Sequence, residues 1–330
     1  MKVCVIGGAG YIGSHVVLEL IRKGHDVVVI DNLSTGYRDM VDEKATFYLG
    51  DITQKKDLTN IFNIECSKKK FDIVMHFAAK LLPNESMEKP LFYYFNNVEG
   101  VRILLETMVD FDIKNIVFSS TAAVYGATKE PVSYESEIPS PISPYGETKL
   151  ASENMIKWVC QAHNMNYCIF RYFNVAGADE SLKVGLKKDN ITTLIPVAIQ
   201  TALGIREQME IFGDDYPTKD GTCERDYVHP TDLAIAHILG AEYILKNNKS
   251  LLLNLGSNEG FSVKEVIAEV SKYKPVKYKV GPRRAGDPVK VIASNEQAKK
   301  ILGWSPKYNL EDIIRTDMEF RDKISSLKKK

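Results

Sequence analysis

The sequence predicts an α/β protein: a Rossmann-type, doubly wound parallel sheet followed by a smaller C-terminal α/β region that binds substrate. Three observations lead there. Short apolar runs alternate with amphipathic helical stretches through the first half of the chain, a glycine-rich turn joins the first run to the first helix, and an aspartate closes the second run.

The runs at 3–6, 27–30, 47–49, 73–76 and 116–119 are short and rich in β-branched or aromatic residues, as buried parallel strands are. Helical periodicity fills the gaps at 12–22, 55–63, 92–110 and 144–162, and the run 167–172 extends the sheet. Past about Asn174 the alternation breaks. Residues 192–203 and 231–245 look helical, whereas 212–227 and 281–288 form long loops of the kind that serve a site. The expected division is a dinucleotide-binding domain at 1–173 and a substrate domain at 174–330, with segments free to cross between the lobes.

At 330 residues the chain has room for two domains, and 44% hydrophobic with 26% charged residues describes a globular protein with a large core. Lys plus Arg and Asp plus Glu both number 43, a balance that argues against a nucleic-acid binder held by bulk electrostatics. The five cysteines are scattered, with no CxxC pair and no histidine at ligand spacing, so neither a disulfide framework nor a metal site is expected. A reducing cytoplasm fits them best. The opening residues lack the length of a signal peptide, no apolar run approaches a membrane span, and Lys328-Lys329-Lys330 reads as a solvated terminus.

Gly7-Gly8-Ala9-Gly10-Tyr11-Ile12-Gly13 follows the first strand and opens the first helix. Glycine there allows the tight turn and lets a diphosphate reach the N–H groups of the helix end. Asp31, about 20 residues on, suits the hydroxyls of an adenosine ribose and repels a 2′-phosphate, and no arginine follows it directly; NAD is therefore the expected cofactor. Asp51 and Ile52 follow the third strand and suit the adenine, or else Asp51 caps the next helix near Gln54.

Tyr-x-x-x-Lys occurs three times, at Tyr125/Lys129, Tyr145/Lys149 and Tyr273/Lys277, so spacing alone says little. Pro275 breaks the third, and the first follows a strand end in a glycine-containing loop. Only the second sits on a helix, with Ser143 as cap and Pro144 in first position. Residues four apart share a face, so Lys149 is expected beside the Tyr145 phenol, lowering its pKa and making it a base; the alternative is an exposed tyrosine and lysine. Ser119-Ser120-Thr121 end a central strand, where Thr121 can bond the sugar oxygen that Tyr145 deprotonates or simply cap the following turn.

With these pieces in place, nearly the whole chain resembles the extended short-chain dehydrogenase/reductases, and within them the UDP-galactose (UDP-glucose) 4-epimerases. The shared stretches are residues 7–15, Asp31-Asn32, 75–79, Ser119-Ser120-Thr121, 144–149, Arg171-Tyr172-Phe173-Asn174, and above all 212–229 from Phe212-Gly213-Asp214 to Val228-His229. The resemblance implies that Tyr145 takes the proton from the hydroxyl on sugar carbon 4 while hydride passes to NAD, and that the 4-keto sugar turns over and is reduced on its other face. It implies Tyr145, Lys149 and Thr121 as catalytic residues. Cofactor contacts fall to Gly7, Gly10, Tyr11, Ile12, Gly13, Asp31, Asn32, Asp51, Ile52, Phe77, Ala78, Ala79, Lys80, Asn96, Ser119, Tyr145, Lys149 and Tyr172. Substrate contacts fall to Thr121, Asn174, Thr193, Leu194, Phe212, Arg225, Arg284, Asp287 and Val291.

Lys80 departs from the family's spacing, and Thr193 stands where many members carry asparagine. The resemblance, aligned without a gap on Arg284-Ala285-Gly286-Asp287, implies that Val291 falls beside carbon 2 of the sugar, where a small residue admits an N-acetyl group; the alternative is a strand residue packed in the core. Ala122-Ala123 follow Thr121 in place of the acids that dehydratases and decarboxylases resembling this fold carry, and a non-catalytic NAD-binding regulator would be expected to lose the tyrosine or lysine. A homodimer is expected from extra apolar residues on the two long helices: Leu91, Phe92, Leu104, Leu105, Met108 and Trp158.

Overall fold

The computed structural model describes residues 1–126, 132–188, 191–284 and 288–327. Strand β1 (Lys2–Ile6) is buried along its length, as a strand covered on both faces must be. It leads through the glycine turn into helix α1 (Tyr11–Arg22), followed by β2 (Asp26–Asp31), β3 (Thr46–Leu49), α2 (Lys55–Lys68) and β4 (Ile73–His76). Helices α3 (Pro83–Glu88) and α4 (Pro90–Tyr94) each start on a proline, whose missing N–H costs nothing there.

Where the periodicity predicts one helix from Phe92 to Asp110, a π-helical turn at Phe95–Glu99 separates α4 from α5 (Gly100–Asp110). The turn buries Asn97, whose amide bonds both backbone groups of Lys80 and the Thr148 hydroxyl. Gly100 lets α5 close on Ile52, because an added Cβ would lie 2.9 Å from its Cγ2.

Next come β5 (Asn115–Ser119), the short β6 (Val132–Ser133), and α6 (Pro144–Ala162). As the sequence predicts, Ser143 caps α6, accepting the Gly146 N–H at 3.2 Å, and Pro144 opens it. The remainder runs β7 (Asn166–Tyr172), β8 (Asn174–Val175), α7 (Leu194–Ala202), β9 (Met209–Phe212), β10 (Glu224–Arg225), β11 (Tyr227–Val228), α8 (Pro230–Asn247) and β12 (Leu251–Leu255). It closes with β13 (Phe261–Ser262), α9 (Val263–Ser271), β14 (Tyr278–Gly281), β15 (Lys290–Ala293), α10 (Glu296–Leu302) and α11 (Leu310–Leu327).

Among the described residues the main sheet has seven strands in the order β12-β7-β5-β4-β1-β2-β3, every pair parallel. Successive β1 side chains alternate between its faces: Val3 and Val5 pack with α1 and α8, while Cys4 and Ile6 pack with α2, α5 and α6. A third core gathers α7, α9 and α11. Pairing and packing run across the expected boundary at 173/174, and α8 packs against α1. Strand β12 returns to pair with β7, and β6 leaves to pair with β15 in a sheet ordered β13-β10-β15-β6.

One expectation about the surface is corrected. Leu104, Leu105 and Met108 belong to the chain's own core, because α5 buries its apolar stripe against α2 and the sheet. The exposed apolar residues of this region are Leu91, Phe92, Tyr94, Phe95 and Trp158.

Candidate active site

A cavity of about 570 Å³ opens at the carboxyl ends of β1, β2, β4 and β5, where a doubly wound sheet offers its crevice. All the residues assigned above to the cofactor line it, from Gly7 and Asp31 to Tyr145, Lys149 and Tyr172. Gly7 adopts φ +81°, and a side chain there would strike the Ala78 backbone at 2.5 Å. An added Cβ at Gly13 would come within 2.2 Å of the Gly7 carbonyl oxygen, so the turn and the helix start are mutually wedged.

No side chain caps α1, which leaves the N–H groups of its first turn toward the cavity lined by Gly10, Tyr11, Ile12 and Gly13. Asp31, 9% exposed, accepts the Ala9 N–H at 3.0 Å and the Leu33 N–H at 2.8 Å, so one carboxylate both holds the turn and faces the cavity. This cradle of bare backbone, helix N-terminus and carboxylate fits the diphosphate and adenosine of NAD.

Asp51 does not cap α2, whose N-cap is Gln54 without a side-chain bond. It accepts instead from the Thr53 backbone and hydroxyl and, at 2.9 Å, from Asn32. Burial pushes its pKa up, but those bonds outweigh burial and the net shift is downward. Lys80 contributes its backbone to Asn97 and sets its ammonium 5.3 Å from the Phe92 ring centroid. Asn96 donates to the Phe92 carbonyl at 2.7 Å.

Tyr145, Lys149 and Thr121 meet where α6 crosses the end of β5. The Thr121 hydroxyl hydrogen-bonds the Tyr145 phenol and also accepts the Ala123 N–H, capping the turn that follows it. Lys149 lines the cavity with Tyr145. Its Nζ donates to the Ser119 carbonyl at 2.8 Å and lies 4.9 Å from the Phe118 ring centroid, and burial pushes its pKa down to about 8. Burial likewise raises the Tyr145 phenol, opposed by its hydrogen bond to Thr121. Ser119 Oγ is bonded to the Tyr172 hydroxyl.

The residues assigned to the sugar nucleotide divide into groups. Thr193 lines the cavity as N-cap of α7, and Leu194 follows it. Phe212 ends β9 and is stacked by Arg284, whose guanidinium carbon lies 3.6 Å from its ring centroid. Asn174 donates to the Asp226 carbonyl at 3.1 Å; Arg225 pairs with Val291 across β10 and β15. Asp287 lies outside the described residues, as does Lys129.

Sequence reasoning missed the other wall of the cavity. Ser34, Thr35 and Tyr37 line it after β2, together with Leu186, Lys187 and Lys188 from the segment between β8 and α7. Lys187 pairs with Asp39 and lies 5.0 Å from the Tyr37 ring centroid, and Arg22 grips Asp179 with two bonds of 2.6 and 2.8 Å. Polar loop residues carry no periodic signal, so nothing in the sequence marked this strap. All five cysteines are free thiols. Among the described residues no cluster of three or more His, Cys, Asp or Glu is placed to hold a metal ion, and no helix is long and apolar enough to cross a membrane.

The NAD dependent epimerase/dehydratase family model matches residues 3–256, and the chain belongs to that family. A UDP-glucose 4-epimerase of Halalkalibacterium halodurans is 48% identical over 95% of this chain and 93% of its own. A crystal structure of a UDP-glucose 4-epimerase superposes with a TM-score of 0.94 at 47% identity, covering 97% of both chains. The UDP-glucose-4-epimerase of Stenotrophomonas maltophila, solved with NAD and formylated UDP-arabinopyranose, gives a TM-score of 0.95 at 34% identity over 99% of both.

Proposed function

We infer that the protein is a UDP-glucose 4-epimerase, interconverting UDP-glucose and UDP-galactose with NAD as its cofactor. The observation that carries this reading is that Tyr145, bonded to Thr121, and Lys149 line the same cavity as the glycine turn and Asp31. NAD, when bound, supplies the acceptor and donor of the hydride exchanged with sugar carbon 4. Tyr145 takes the proton of the carbon 4 hydroxyl and returns it after the ring has turned. Thr121 holds that oxygen against the phenol. Lys149, buried and charged below about pH 8, supplies the positive field that favours phenolate once its cavity is filled.

The remaining assignments are proposals of the same reading. Asn174, Thr193, Leu194, Phe212, Arg225, Arg284 and Asp287 hold the uridine diphosphate, the arginines through guanidinium forks that match phosphate oxygens. The first lobe, with α8 and β12, serves the cofactor, and the second serves the sugar nucleotide. Exposed Leu91, Phe95 and Trp158, at 84%, 52% and 70%, supply a face on which a second copy packs through α4, α5 and α6. Five free thiols accord with a cytoplasmic home.

Incubating the purified protein with UDP-galactose and no added NAD tests the function. UDP-glucose is the expected product. No turnover with or without added NAD would overturn the assignment.

A further inference from the structure

Ser119, the last residue of β5, and the two hydroxyl residues after it are each tied to a different turn of α6. Thr121 bonds the Tyr145 phenol; the Ser119 carbonyl accepts Lys149 Nζ at 2.8 Å; Ser120 Oγ donates to Glu153 Oε1 at 2.5 Å. The partners stand at positions 145, 149 and 153, one helical turn apart on one face. The first two line the cavity. Glu153 does not, and it is fully buried.

Its carboxylate is gripped on two sides by Arg171 of β7, with Nε to Oε1 at 2.9 Å and an Nη2 to Oε2 contact of 2.6 Å, while Lys157 Nζ stands 3.7 Å away. Arg171 is 2% exposed and lies over the Tyr125 ring. Burying such a pair is costly, and apolar residues of similar size often serve stability as well or better. What an apolar pair could not do is fasten Ser120, beside the two residues that hold the reacting groups.

We propose that Glu153 is a positioning residue of the reaction: through Ser120 and Arg171 it sets the register of α6 against β5 and β7, so that Tyr145 and Lys149 meet the substrate correctly. The proposal rests on the epimerase reading above. Glu153 also acts on Lys149 through space, its negative charge opposing the loss of the ammonium that burial favours. His76 of β4 also acts on Lys149, and burial holds that imidazole neutral with a pKa of about 3; Tyr145 shares the cavity with Lys149 from its own helix.

The test compares the parent, Glu153→Gln and Ser120→Ala by kcat and KM for UDP-galactose, by the pH profile of kcat, and by NAD affinity across pH. Glu153→Gln keeps the shape and removes the charge. Its kcat should fall about tenfold or more with KM within a few-fold, as expected for displaced reacting groups. The alkaline limb of its profile should move down by about half a pH unit, because Lys149 loses its anionic neighbour. Ser120→Ala removes one bond and leaves the ion pair intact; its kcat should fall several-fold with the limb unmoved.

If Glu153→Gln fails to fold, Ser120→Ala decides, and an unchanged kcat there overturns the proposal. A folded Glu153→Gln with parental kcat and limb overturns it equally. A parent inactive on UDP-galactose defeats the functional reading instead, and the alkaline midpoint of NAD binding, lower in Glu153→Gln or not, then decides the positioning role.

Discussion

Arg284 lies over Phe212 with its guanidinium carbon 3.6 Å from the ring centroid. Stacking occupies the faces of the guanidinium and leaves its in-plane N–H donors to meet an anion. Phe212 thereby stiffens a side chain that is otherwise exposed at the edge of a long loop. Replacing Arg284 with alanine should raise KM for UDP-galactose about tenfold or more, the effect of one lost hydrogen bond to a charged group, with kcat little changed. Steady-state kinetics check it; a fall in kcat alone would show that Arg284 serves the chemistry and not the anchor.

Tyr145→Phe should keep the fold and bind NAD, since the ring still packs against Tyr93. Its turnover should fall by about 10²–10⁴, the usual contribution of a positioned acid–base group. Turnover within a few-fold of the parent removes Tyr145 from the role of base.

Lys149 loses its proton in the folded protein near pH 8, below the 10.5 of a free lysine, because burial disfavours the ammonium. Activity that needs the charged form is therefore full below this pH and declines above it. Lys149→Arg stays charged throughout, so its profile should lose the alkaline limb even as its rate falls. A limb that persists unchanged in that variant belongs to another group.

Val291 is half-buried on β15, and its carbonyl accepts the Asp226 N–H at 3.0 Å. We expect the parent to act on UDP-N-acetylgalactosamine as well as UDP-galactose, and Val291→Tyr to lose only the former. No parental activity on the N-acetyl sugar rules out the gate, and equal loss of both activities makes Val291 a packing residue.

The glycine turn, Asp31 and the start of α6 were legible in the sequence because each depends on neighbours within a few residues: a turn, a strand end, a Ser-Pro cap. The strand-end residues of the cavity were legible for the same reason, whereas its other wall, Ser34 to Tyr37 with Leu186 to Lys188, was not. Strand β12 was not, since its buried apolar run gains meaning only from β7, more than 75 residues earlier. Nor was the π turn, where a fit to helical periodicity hides one residue too many and with it the inward turn of Asn97. The bond from Lys149 to the Ser119 carbonyl was not legible either, because helix spacing shows which groups share a face and not which carbonyl lies nearer.

The return of α8 and β12 to the first sheet has a consequence for how the chain is made. Val16 and Val17 of α1 and Phe170 of β7 share their core with Leu233, Ile238 and Leu253, residues synthesised long after them. A fragment ending at 173 would leave that apolar layer open to water and the edge of β7 unpaired, an invitation to aggregate. The nascent chain therefore cannot finish its first lobe until residue 255 has emerged, by which time much of the second lobe is present too. The two lobes should melt in a single transition.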